Sequence, residues 1–142
     1  MPITGRILRI APDVQRAIIA DCTERAPFEA CGAVIGRYSD AIEATSFCPL
    51  PNRAAHKHVE YTIASADVKR VEDAARAQGL SVIGFYHSHP QSAPIPSARD
   101  IEAAWPGYVY LIAGTDAGRS CLLGWRLRDD RTRFDSVEVE CL

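Results

Sequence analysis

Residues 80–86, LSVIGFY, are apolar on both alternating faces of an extended chain. A segment of that kind is stable only as a central strand covered on both sides. It commits the chain to a sheet with helices packed on it, and the other segments read as parts of that sheet. Residues 7–10 are expected to form a short strand. Pro12 should open a helix, because proline fits the first helical turn. Val14, Ile18, Ile19 and Cys22 share one face of that helix, which should stop before Pro27. Residues 31–37 (CGAVIGR) and 41–48 read as a hairpin across the polar turn 38–40. Pro49, Pro51 and Asn52 predict a loop, and residues 59–63 a further short strand. Ser65 is expected to cap a helix reaching to about Gln78. The proline-rich loop 87–96 leads to a short helix that Ser97 starts and Pro106 or Gly107 ends. Late strands are expected at 108–113, 121–128 and 133–140. The pattern is α/β: a mixed sheet with two longer helices and one short one.

The chain has 142 residues, which fits a single domain over 1–142 with a core that needs no staples. Its net charge of −2 and scattered Lys and Arg provide no basic field for nucleic acid. The five cysteines are odd in number and form no CxxC pair. That disfavours a disulfide framework and fits a reducing compartment. The first twenty residues interleave Arg6, Arg9, Asp13 and Arg16 with apolar groups, unlike the apolar core of a secretion signal, and no apolar run has membrane-spanning length. The expectation is a cytoplasmic protein with no membrane partner.

Chemistry concentrates just after the central strand. In an extended chain His87 and His89 point to the same side, roughly 6.5–7 Å apart. Two imidazoles so placed can converge on one ion. With Ser97 as a helix cap, Asp100 falls in the first helical turn, where its carboxylate can swing back toward the strand end. Two histidines and one carboxylate leave a tetrahedral zinc with one open position, as catalytic sites require. A bound water there would have its pKa lowered from about 15.7 toward about 7. A base must take a proton from it. Glu29, at the entrance to the early strand and beside Gly32, is one of several carboxylates that could do so.

His87-Ser88-His89, seven residues, Ser97, two residues and Asp100 match the JAMM motif of the MPN+ metalloproteases residue for residue. Pro27-Phe28-Glu29-Ala30-Cys31-Gly32 resembles the Glu-bearing PxExCG segment of the prokaryotic members, and Asn52 resembles a recurrent asparagine of that region. The chain therefore resembles the JAMM/MPN+ (JAB-domain) zinc metalloproteases, in particular small stand-alone prokaryotic members of the Mec+ type. The resemblance implies a cytidine-deaminase-like fold. It implies one zinc ion with a bound water on His87, His89 and Asp100, Glu29 as catalytic base, and Ser97 near the tetrahedral intermediate. It also implies cleavage after the C-terminal glycine of a ubiquitin-like or sulfur-carrier protein ending in Gly-Gly, including release of cysteine from a carrier adduct. The chain is too short for the insertions with which eukaryotic deubiquitinases grip linked ubiquitins.

Plainer readings stand beside these. Ser97-x-x-Asp100 is also a capping box, and capping and metal binding are compatible. His56, His58 and Glu60 would share one strand face, read as solvated polar surface or a substrate-contacting rim and not as a metal site. Cys31 is expected to be a buried, inert thiol. The competing function is a non-catalytic MPN-type scaffold, although such relatives usually lack ligands that this chain retains. A zinc deaminase would need a Cys-x-x-Cys pair and an HxE segment, which are missing.

Overall fold

The computed structural model describes residues 7–142. Residues 1–6, including Arg6 of the charged N-terminal stretch, lie outside the described residues. The elements run β1 (Ile7–Ile10), α1 (Pro12–Arg25), β2 (Cys31–Tyr38), β3 (Ile42–Leu50), α2 (Ser65–Ala77), β4 (Ser81–Ser88), α3 (Ala98–Ala103), β5 (Val109–Asp116), β6 (Arg119–Leu127) and β7 (Phe134–Cys141). The expected mixed sheet with two longer helices and one short helix is present. It also closes on itself, in the order β1-β3-β2-β4-β5-β6-β7, which local sequence pattern does not encode.

The central strand lies where its apolar content requires. β4 pairs with β2 antiparallel and with β5 parallel. One apolar cluster joins Ile83 and Tyr86 of β4 to Ile18 and Cys22 of α1. A second joins Val82 and Phe85 to Val71 of α2. Both faces of the strand are thus covered, and each fully buried large side chain contributes about 1.5–3 kcal/mol. None of the helices among the described residues is long and apolar enough to cross a membrane.

Several boundaries differ from the sequence expectation: β5 runs on to Asp116, β6 begins at Arg119, and α3 ends at Ala103, ahead of Pro106. β3 continues through Pro49, which takes a register position opposite Gly32. β4 runs on through His87 and Ser88, so the loop begins at His89. Residues 59–63 are not a strand, because the closed barrel offers no free edge and the segment's backbone groups bond within their own loop. The amides of Val59 and Glu60 both donate to the His56 carbonyl. Finally, Ala64 rather than Ser65 caps α2, its carbonyl accepting from Asp67 and Val68 without a side-chain cap. Asp67 is buried and paired with Arg70 at 2.8 Å and Arg53 at 3.3 Å, which ties the preceding loop to this helix.

The start of β2 tolerates no side chain at Gly32. A Cβ there would sit 2.4 Å from the Tyr86 ring and 2.5 Å from the Cys48 carbonyl oxygen. Gly32→Ala should therefore destabilise the chain by about 1–3 kcal/mol, the usual cost of overpacking. A lowered denaturant midpoint checks this, and an unchanged midpoint would contradict the close packing.

Candidate active site

Period-two alternation sorts the end of β4 into two jobs. His87 faces one side, and Ser88 faces the other with Tyr86. The Ser88 hydroxyl oxygen accepts from the Ala30 amide at 2.8 Å, and the Ser88 amide donates to the Ala30 carbonyl at 3.1 Å. The residue between the two histidines thus secures the main chain next to Glu29. On the same side, the Tyr86 hydroxyl donates to Asp21 at 2.7 Å, and Arg25 bonds Asp21 and the Cys31 and Leu50 carbonyls. This network anchors the end of α1 to the start of β2.

His89 leaves the sheet in a loop that is itself well held. Its amide donates to the Ala113 carbonyl at 2.7 Å. The Trp125 indole donates to the Pro94 carbonyl, and the Thr115 amide to the Ser92 carbonyl. Gly114 permits this docking, since a Cβ there would lie 2.5 Å from the Ser92 oxygen. The loop delivers Ser97 to the start of α3, where both halves of the capping box form. The Asp100 amide donates to Ser97 Oγ at 3.1 Å, and the Ser97 amide donates to Asp100 Oδ2 at 2.9 Å.

The same Asp100 carboxylate reaches both imidazoles. Oδ1 lies 3.1 Å from His87 Nε2, and Oδ2 lies 3.1 Å from His89 Nε2. Glu29 joins the cluster: one oxygen of Glu29 and one nitrogen each from His87 and His89 lie within 4.8 Å of one another. Glu29, His87 and Asp100 are 6%, 1% and 6% exposed, so little solvent reaches them. The structure therefore brings together His87, His89, Asp100 and Glu29. Ser97 stands exposed at the edge of a cleft that Glu29 and His89 line with Pro27, His58, Val59 and Pro90.

Two observations fit a cation here. His89 Nδ1 lies 2.9 Å from the Ala93 carbonyl, which can only accept, so Nδ1 carries the proton. In the neutral ring Nε2 then points a lone pair at a carboxylate, a contact that needs a positive charge in it. Glu29 Oε1 and His87 Nε2 are also buried with no hydrogen-bond partner, an arrangement that costs about 1–3 kcal/mol per group unless something meets it. The environments of the two carboxylates are driven apart. Burial lifts the Glu29 carboxyl to about 7. Burial also opposes ionisation of Asp100, but the His87 and His89 imidazoles beside its two oxygens outweigh it and hold this carboxyl below the usual range. Burial keeps the His87 imidazole below its ordinary value. For His89 burial is overcome by Asp100 and the Ala93 carbonyl, and the ring is raised.

Glu29 is placed from outside the sheet. Its amide donates to the Lys57 carbonyl at 2.7 Å, and its carbonyl accepts from Asn52 Nδ2 at 3.0 Å. His56, His58 and Glu60 form a turn rather than a strand face. His56 is exposed, Glu60 accepts from the His56 amide, and the His58 ring packs 4.7 Å from Phe28 on the cleft wall. Cys31 is buried, and burial raises its thiol to about 11, as expected of an inert residue. Sequence reasoning missed Ser88 and Tyr61. Strand alternation could have found the first, whereas Tyr61, which stacks on His87, has no local signal.

Residues 11–128 match the family described as prokaryotic homologs of the JAB domain. The chain is 40% identical to a protein named "Desampylase" from Haloferax volcanii, over 97% of this chain and 100% of that one. It is 32% identical to a Thermus thermophilus protein named "Probable TtuB-protein conjugate cleaving protease", over 84% and 78% of the two chains. A protein of Desulfitobacterium hafniense solved in solution shares the fold at a TM-score of 0.85 and 22% identity, covering 95% of this chain and 92% of that one.

The burial of Glu29 has a measurable consequence in chelator-treated protein. The carboxyl moves from 4.5, its ordinary value, to about 7 on folding. The folded state therefore binds this proton more tightly than the unfolded state. Stability should fall as pH rises from 4.5 through about 7, and no further above. Glu29→Gln cannot ionise, so its stability relative to the parent should grow between pH 5 and pH 8. Parallel stability-versus-pH curves for the two proteins would contradict the buried position.

Proposed function

Because the chain belongs to the prokaryotic JAB-domain family, we propose that it is a zinc-dependent isopeptidase or peptidase, working in the cytoplasm as one domain over 1–142. Its substrates on this reading are ubiquitin-like or sulfur-carrier proteins, cut after a C-terminal Gly-Gly, with a cysteine adduct of a carrier among the candidates. The observation that carries the proposal is the convergence of two imidazoles and two carboxylates in one buried cluster, where Glu29 Oε1 and His87 Nε2 have no hydrogen-bond partner. Support for the substrate class comes from the two relatives, whose names speak of a desampylase and of cleaving protein conjugates.

His87, His89 and Asp100 would hold the zinc. Asp100 suits a ligand because its carboxylate is ionised and fixed by the cap of α3. When bound, the ion would polarise the scissile carbonyl and acidify a water, whose pKa falls from about 15.7 toward about 7. Glu29 is the group to carry the proton. Its carboxyl, placed near neutrality by burial, can take a proton from the attacking water and return it to the leaving amine, which is what matched basicity allows. Ser97 Oγ accepts from the Asp100 amide, so its own proton is free to be donated to the developing oxyanion. One such donor is commonly worth about 2.7–4 kcal/mol of barrier. Hydrolysis adds water across the amide and leaves a glycine carboxylate and a free amine.

The test is incubation with carrier proteins that end in Gly-Gly plus an extension, read by mass spectrometry with and without chelator. Chelator-sensitive loss of the extension is expected, and an intact extension under zinc-replete conditions would overturn the reading. Glu29→Gln should keep its zinc yet lose cleavage on the order of 10²–10⁴-fold, because only proton transfer is removed. His89→Ala and Asp100→Ala should lose the zinc itself. Full occupancy in both, by elemental analysis, would refute the ligand set.

A further inference from the structure

Tyr61 stacks on the imidazole of His87, with ring centroids 4.2 Å apart and planes inclined by 20°. His87 Nε2 faces Asp100 Oδ1 at 3.1 Å, and the second ring nitrogen, Nδ1, is buried without a hydrogen-bond partner. A metal-binding imidazole is ordinarily oriented by a hydrogen bond from its second nitrogen to a carboxylate or carbonyl. His87 lacks that bond, so its ring must be oriented through its face.

The ring that covers this face is itself held on both sides. Asn52 Nδ2 donates to the Glu60 carbonyl at 3.0 Å, and Asn52 Oδ1 accepts from the Thr62 amide at 3.1 Å. These are the residues immediately before and after Tyr61. The Arg53 amide adds a bond to the Thr62 carbonyl at 2.9 Å. The same Asn52 amide group reaches the Glu29 carbonyl at 3.0 Å. One side chain thus fixes both the ring over His87 and the main chain that carries the proposed base.

We infer that Tyr61, clamped by Asn52, is the positioning residue that sets the ring orientation of His87, in place of the hydrogen bond this imidazole lacks. The role in metal binding rests on the zinc reading above, while the orientation itself does not. Stacking needs the aromatic face and not the hydroxyl. Tyr61→Phe should therefore behave as the parent, and Tyr61→Leu should not.

Two measurements test this. In the metal-free parent and in Tyr61→Phe, proton NMR should find the His87 ring protons shifted upfield of those of the exposed His56, with cross-relaxation to the residue 61 ring. Parent His87 resonances at the positions of those of His56 would overturn the inference, whether or not Tyr61→Leu folds. Zinc affinity is then read by chelator competition on folded variants. Tyr61→Leu should bind zinc more weakly on the order of 10–100-fold, the usual effect of removing a group that orients a ligand, and Tyr61→Phe as tightly as the parent. Equal affinity in Tyr61→Leu and the parent would overturn the inference. So would a Tyr61→Phe as weak as Tyr61→Leu. A parent that binds no zinc would instead refute the metal reading, leaving the ring shifts to decide the orientation.

Discussion

Asp100 lies between two imidazoles, 3.1 Å from each, in a place almost closed to water. A buried carboxylate beside a nitrogen lone pair is repulsive unless a proton or a metal ion intervenes. Holding that contact in place takes the end of β4 and the start of α3, which are neighbours in sequence, and the segment before β2, which is distant from both. Much of the hydrogen bonding around the site serves to keep them there. Ser88 ties β4 to Ala30, the capping box turns Asp100 inward, and Asn52 carries the Glu29 carbonyl.

The capping box shows how one residue serves folding and chemistry together. Asp100 Oδ2 accepts the Ser97 amide, which α3 needs at its N-terminus, and presents the same carboxylate to His89. The two roles reinforce each other, since the cap removes the rotameric freedom that a ligand would otherwise lose on binding. The two carboxylates differ for related reasons. Asp100 has two imidazoles and an amide beside it, whereas Glu29 Oε1 has no hydrogen-bond partner. Groups of one chemical type pushed apart by their surroundings are a recurring basis for dividing ligand and acid–base work.

Much of this was legible in the sequence because it is local. Apolar residues 80–86 fix a covered strand, His87 and His89 share its face, and Ser97 with Asp100 spell a helix start. The family that the motif resembles is the family to which the chain belongs. What was not legible depends on distant partners. Residues 59–63 look like a strand, but barrel closure leaves no edge for them, and Asn52 satisfies their backbone instead. The extension of β4 through Ser88 requires Ala30 and Ala113 as partners. Tyr61 reaches His87 only because that loop folds back over the site, which no periodicity announces.

The proposed zinc site requires two imidazoles and a carboxylate of this chain to share one divalent ion. X-ray absorption at the zinc edge, on protein loaded with zinc and freed of excess, examines the bound atoms themselves. The expected result is one zinc per chain with only nitrogen and oxygen neighbours, at about 2.0–2.2 Å, and the multiple scattering of imidazole rings. A sulfur neighbour at about 2.3 Å, as a cysteine would provide, or a chain that retains no zinc, would contradict it.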